Sequence, residues 1–159
     1  MIKNSATWLL FQAGLLEMRG CNSIKKIAAE NKYLLLFSLW GPVLLQMGLI
    51  FFLSAQPKGS PVLEEFPVPA GVGHFIGYAI LGLLLYRAFN GGLNSSLSWN
   101  RQAALKTLVV GVASAISDEV HQLFVPGRHF SLADLVINTI AIVFILIFLR
   151  VIKNKFAKR

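Results

Sequence analysis

The sequence predicts an all-α polytopic membrane protein, a four-transmembrane-helix bundle with a short N-terminal interfacial helix. Three observations carry that expectation. The 159 residues are 55% hydrophobic and only 14% charged, too apolar for an ordinary soluble domain and too short for two. Four apolar stretches have membrane length, given that about 20 residues cross a hydrocarbon core of roughly 30 Å. The basic residues gather at the ends of those stretches, as positive-inside topology requires. The net charge of +8 forms no basic patch interleaved with aromatics, which argues against a nucleic-acid partner. The single Cys21 excludes an internal disulfide and offers no pair of thiolates to a metal.

Residues 1–32 read as an N-terminal arm on the cytoplasmic side. Within it, 7–18 is apolar but short and is broken by Gln12 and Gly14, so it is expected to lie in the membrane interface. A signal peptide is the rival reading, because Gly20-Cys21 follows an apolar run, but Met18 and Arg19 fit such a cleavage site poorly. The transmembrane domain is expected over 33–152, with a basic tail at 153–159.

The first span, 33–54, carries no charge and contains Gly41-Pro42, a kink signal. The second covers 70–89, the third 103–124 and the fourth 132–152. The last two hold ionisable residues, but these crowd toward one end of each span. Lys3, Arg19, Lys25, Lys26 and Lys32 precede the first span. Arg87, Arg101 and Lys106 flank the second loop, and Arg150 to Arg159 close the chain. The 55–69 connection sets Lys58 against Glu64 and Glu65, and the 125–131 turn has only Arg128. A cell-membrane protein with both termini cytoplasmic and those two connections outside satisfies the alternation.

Polar residues then fall into sets by helical spacing. His74 and Tyr78 share a face of the second span, Asp118, His121 and Gln122 a face of the third, and Asp134 and Asn138 a face of the fourth. All three sets lie at the same predicted membrane depth. Gly73 and Gly77 form a GxxxG step beside His74, and Gly111, Ser114 and Ala115 precede Asp118, so the polar face is expected to be the packed one. Pro126-Gly127 predicts a type II turn, and Ser131 followed by Asp134 predicts a capping box.

The run SDEVHQLFVPGRHFSLADLVINT (117–139) resembles the signature of VanZ-like membrane proteins. IFFLSAQP (50–57) and HFIGYAILG (74–82) match that family in the same order, so the resemblance covers about residues 33–152. It implies a four-span bacterial envelope protein with a role in teicoplanin resistance. The family's polar residues fall on His74, Tyr78, Asp118, Glu119, Gln122, Arg128, Asp134 and Asn138. Two positions depart from the pattern: Ala70-Gly71 stands where the family has an Asp-Lys pair, and Ala141 where it often has Gly.

These residues admit several readings. Asp118, Glu119 and Arg128 can form an ion-pair network that locks two spans in register. They can instead line an outward-facing pocket for an amphiphile, with Arg128 on a phosphate or carboxylate and His74 and Tyr78 as the opposite wall. Tyr78 can also send its hydroxyl to a carboxylate, while Gln122 and Asn138 read as interhelical hydrogen-bond partners and His129 as a solvated loop residue. Catalysis is a further reading, with His74 or Glu119 as general base. His74, Asp118, His121 and Asp134 are ligand types for a metal, yet Glu119-Val120-His121 is not an HExxH arrangement. The expectation is therefore no metal and no cofactor, and a binding role in preference to an enzyme. The expected partners are the bilayer and a lipid or lipid-linked ligand, with the oligomeric state open.

Overall fold

The structure is a computed structural model and describes residues 31–57, 59–61, 69–93 and 99–156. The expected interfacial helix at 7–18, Cys21 and the acidic pair of the 55–69 connection lie outside the described residues. The described residues contain no strand. They form α1 (Asn31–Ser54), α2 (Ala70–Phe89), α3 (Arg101–Gln122) and α4 (Leu132–Phe156).

Among the described residues, α1, α2 and α4 are long and apolar enough to cross a membrane. Helix α3 has the length but not the hydropathy. Arg101, Gln102, Lys106, Asp118, Glu119, His121 and Gln122 stand at its two ends and Thr107, Ser114 and Ser117 between them. The hydroxyls of Thr107 and Ser114 return to the carbonyls of Ala103 and Val110, each at 2.8 Å, and so spend their polarity inside the helix. Helix α1 stays helical through Gly41-Pro42.

The chain divides into two compact units, Met1–Ser38 and Leu39–Arg159. In the first, the described residues are the exposed opening turns of α1, where Ser38 Oγ donates to the Leu35 carbonyl at 3.0 Å. The second holds the core, centred on Val43, Tyr78, Leu81, Leu85, Ala115 and Ile142. Within it, α2 and α4 run in the same direction and make the most extensive contact, while α3 runs against both.

Two glycines permit that closeness. A Cβ at Gly82 would stand 2.8 Å from Ile145 Cγ2, and one at Gly111 would stand 2.7 Å from Ile142 Cδ1. The GxxxG step expected to do this work does less. Gly77 would make only ordinary contact with Ile50 at 3.7 Å, and Gly73 faces open space. The tight crossing lies further along α2, where the buried Ile142 fills the gap between Gly82 and Gly111.

One end of this unit is aromatic. Trp40 meets Phe89 edge-on at 5.1 Å, and Tyr86 stacks on Trp99 at 5.1 Å. Asn100 caps α3 by accepting from the Ala103 N–H at 3.0 Å, and its own N–H donates to the Tyr86 hydroxyl at 3.3 Å. Residues 153–156, read from sequence as tail, continue α4 because no breaker stops it, and this keeps Lys153 on the packed face. The side chain is 8% exposed, with its ammonium 5.8 Å from the Tyr86 ring centroid. The other end carries the polar sets. Between the ends the outer faces present Leu45, Val109, Val136, Ile140 and Ile147 to the surroundings, a liability in water and the expected lining toward acyl chains.

Candidate functional site

The polar end is assembled by the α3–α4 connection. Helix α3 stops at Gln122, and Val125-Pro126-Gly127-Arg128 closes a turn in which Arg128 N–H donates to the Val125 carbonyl at 3.1 Å. Gly127 takes φ +75°, the value that the third residue of a type II turn needs and that a side chain resists. The expected cap also forms: Ser131 Oγ accepts from the Asp134 N–H at 3.2 Å. The reciprocal half of the box does not. Ser131 N–H donates to Glu119 Oε2 at 2.9 Å, so an acid from α3 takes the place that Asp134 would fill in a capping box. Asp134 is thereby released to face elsewhere.

Successive residues on a helix diverge by about 100°, and this separates the two acids of α3. Asp118 turns toward α1 and α2. With Tyr78, Ser114 and Ser117 it lines a cavity of about 80 Å³ whose remaining walls are Met47, Ile50, Phe51 and Leu81. Glu119 turns toward α4. One ligand-capable atom each from His74, Glu119 and Asp134 lie within 4.8 Å of one another, drawing α2, α3 and α4 to one point. The four residues read from sequence as metal ligand types therefore do not gather as a set. Glu119 stands where Asp118 and His121 were expected, because its face of α3 is the one that meets the α4 N-terminus.

His121 instead stacks on Phe51 with ring centroids 4.0 Å apart, and its Nε2 is buried without a hydrogen-bond partner. Tyr78 is buried and its hydroxyl donates to the Ser114 carbonyl at 3.4 Å, one turn short of the carboxylate it was expected to reach. Gln122 Nε2 donates to Ser54 Oγ at 3.5 Å, a long bond joining α3 to α1. Asn138 is fully buried, yet neither atom of its amide has a partner among the described residues, so the expected interhelical bond is not there. His129 is exposed in the loop, as its position implies.

The expected ion-pair lock does not form either. Arg128 is half-buried and its Nε donates to the Gln56 carbonyl at 3.2 Å. Among the described residues no ion pair joins it to Asp118 or Glu119, since the turn aims it at the end of α1 while the acids face inward. Asp118 is 4% exposed, and neither of its buried oxygens has a well-formed hydrogen bond, only the Ser54 hydroxyl and Gln122 amide standing nearby; Glu119 Oε1 is buried without a partner. Each unmet buried polar group costs about 1–3 kcal/mol, more if charged. With Glu119 and Asp134 both ionised, their repulsion at no more than 4.8 Å would add at least about 3.5 kcal/mol in an effective dielectric near 20.

Ser54, Gln56 and Gln46 were not singled out in the sequence. Ser54 is buried beside Asp118, and Gln46 Nε2 ties α1 to α2 through the Gly77 carbonyl at 3.0 Å. A signal existed for the first two, which are the polar letters of IFFLSAQP. Gln46, alone in an uncharged apolar run, carried one as well.

A family model described as VanZ/LLP1 matches residues 24–153. The chain matches no curated protein and no solved structure.

Proposed function

The chain belongs to the VanZ/LLP1 family over residues 24–153, and from that premise we propose a multi-pass envelope protein that binds the headgroup of an amphiphile at its polar end. The observation that carries the reading is the set of buried polar atoms without partners: both oxygens of Asp118, one of Glu119 and the whole amide of Asn138. A purely structural network satisfies its members, because unmet groups cost stability and return nothing. A binding site leaves them for a ligand.

In this reading α3 also spans the membrane, making four spans, with the polar end facing outward and both termini in the cytoplasm. Arg87, Arg101, Lys106 and Arg150 mark the inner side. Arg128, with Nε held by Gln56, turns its remaining guanidinium nitrogens to a phosphate or carboxylate. The Asp118 carboxyl group and the Tyr78 hydroxyl oxygen accept at the cavity, and the tail of a lipid, a lipid-linked wall precursor or a lipoglycopeptide stays against the apolar faces. A contribution to glycopeptide (teicoplanin) resistance follows if the ligand is the wall precursor or the drug.

The test is native mass spectrometry of the detergent-purified protein, wild type against Arg128→Ala. A co-purified lipid lost only in the variant supports the site, and identical ligand-free spectra for both overturn it. The convergence of His74, Glu119 and Asp134 favours a second reading, an intramembrane enzyme acting on a lipid-linked substrate. That reading requires a product in extracts of wild-type cells that disappears in Glu119→Gln.

A further inference from the structure

We propose that His74, Glu119 and Asp134 bind one divalent transition-metal ion of the zinc class. Three helices each deliver one donor, and the donor atoms lie within 4.8 Å of one another. Side chains scattered for packing alone need not converge so. Glu119 supplies an independent sign of a ligand. It is fully buried at the centre of the cluster, and its Oε1 has no hydrogen-bond partner. Its other oxygen is fixed by the Ser131 N–H, which orients the carboxylate from behind, as outer-shell donors do for metal ligands.

The same backbone donor accounts for the availability of Asp134. In an ordinary capping box its carboxylate would be committed to the Ser131 N–H. Here Glu119 takes that bond, and Asp134 keeps both oxygens for other partners.

Charge and donor type define the ion. Two carboxylates and a neutral imidazole carry −2, which one divalent cation balances. An imidazole nitrogen suits zinc, manganese or cobalt and is a poor ligand for calcium or magnesium, which take oxygen. Donors in a tetrahedral zinc site stand roughly 3.4 Å apart, given bonds of about 2.0–2.2 Å. The cluster must therefore tighten by about 1.4 Å at most, and half-buried His74 and Asp134 have room to turn. Three protein ligands leave a fourth position open to water or to an oxygen of a bound headgroup. The site does not depend on the headgroup reading.

The experiment is metal analysis after incubation with Zn²⁺ and desalting, together with optical titration by Co²⁺, on detergent-purified wild type, His74→Ala, Glu119→Gln and His129→Ala. Wild type and His129→Ala should hold one metal per chain and show visible Co²⁺ d–d bands. His74→Ala and Glu119→Gln should bind at least about 100-fold more weakly. Wild type that takes up neither ion at micromolar concentration overturns the site, as does binding unchanged in folded Glu119→Gln. If a ligand variant fails to fold, the wild-type Co²⁺ spectrum decides, because a proton or a charged imidazole in place of the metal gives no d–d band. Wild type that carries no metal while retaining its lipid overturns the metal site and leaves the headgroup reading standing.

Discussion

Asp118→Asn should make the protein more stable while weakening ligand binding. The substitution keeps the shape of a side chain that is 4% exposed and removes a carboxylate with no hydrogen-bond partner on either oxygen. Ser54 and Gln122, which join each other by a marginal bond of 3.5 Å, also stand beside it as weak polar neighbours, neither forming a well-made hydrogen bond to its oxygens. An amide keeps an acceptor and supplies a permanent N–H donor, from which the neighbouring Ser54 Oγ is able to accept. One neutral hydrogen bond gained is worth about 0.5–1.5 kcal/mol, and removal of a buried ionisable group that no cation pairs adds to it, so the gain should be about 1–2 kcal/mol. For a chain of this size that is an increase in Tm of about 2–8 °C. The assay is thermal unfolding in detergent followed by near-UV circular dichroism, which reports the packing around Trp40 and Trp99. Chelator and exhaustive delipidation keep bound ligand from adding to wild-type stability. A folded, helical Asn variant that melts lower than wild type by 1 kcal/mol or more would refute the reasoning, because the carboxylate would then have a partner that stabilises it.

Three further outcomes follow from the packing and the topology. Gly82→Ala should destabilise by about 1–3 kcal/mol, since its Cβ meets the branched, rigid end of Ile145 and the backbone of Ile142, outweighing a helix-propensity gain of about 1 kcal/mol. Gly111→Ala clashes chiefly with the terminal Cδ1 of Ile142 at 2.7 Å, its Cγ1 and Cγ2 standing at 3.4 and 3.6 Å, so it should be milder and Ile142→Val should rescue it; equal costs in a double-mutant cycle would contradict that geometry. Ser131→Ala should lose about 1 kcal/mol with the α4 cap, read as a lower melting temperature; no change would mean that Asp134 can take over capping. In a Cys21→Ser background, His129→Cys should label with an impermeable maleimide on intact cells and Lys155→Cys only after permeabilisation, and the reverse pattern would invert the proposed orientation.

Much of this molecule was legible in its sequence because its parts obey local rules. The spans at 33–54 and 70–89 follow from length and apolarity, and the Pro126-Gly127 turn and Ser131 cap follow from residue chemistry that needs no tertiary partner. Helical periodicity placed His74, Tyr78, Asp118 and Asp134 at one end of the chain's helices correctly. It did not say which neighbour each would face. Asp118 and Glu119 are adjacent in sequence, and only the packing of α3 against α4 sends Glu119 to the Ser131 N–H and Asp118 to the Tyr78 cavity. Arg128 shows the same limit. Opposite charges a few residues apart invite a pair on paper, but a turn fixed by Gly127 aims the guanidinium at the Gln56 carbonyl instead. Small residues were legible as a class, while the particular glycines in tight contact depend on where Ile142 lands.

The placement of favourable and costly contacts makes a functional argument of its own. The close approach of Gly82 and Gly111 to Ile142, the Tyr86–Trp99 stack and the Asn100 cap all lie away from the polar end. The unmet groups of Asp118, Glu119, His121 and Asn138 are gathered toward that end, where α3 gives way to a glycine turn and α4 begins. Were those residues retained for stability, apolar substitutes of similar volume would serve at least as well, since buried charge is a poor stabiliser even when paired. Among the described residues, most of the unmet side-chain polarity gathers toward that end, while the glycine-packed crossing anchors the helices elsewhere. That division permits the polar end to carry a destabilising site while the glycine-packed region holds the fold, which is why neutralising Asp118 should separate the two properties, raising one as it lowers the other.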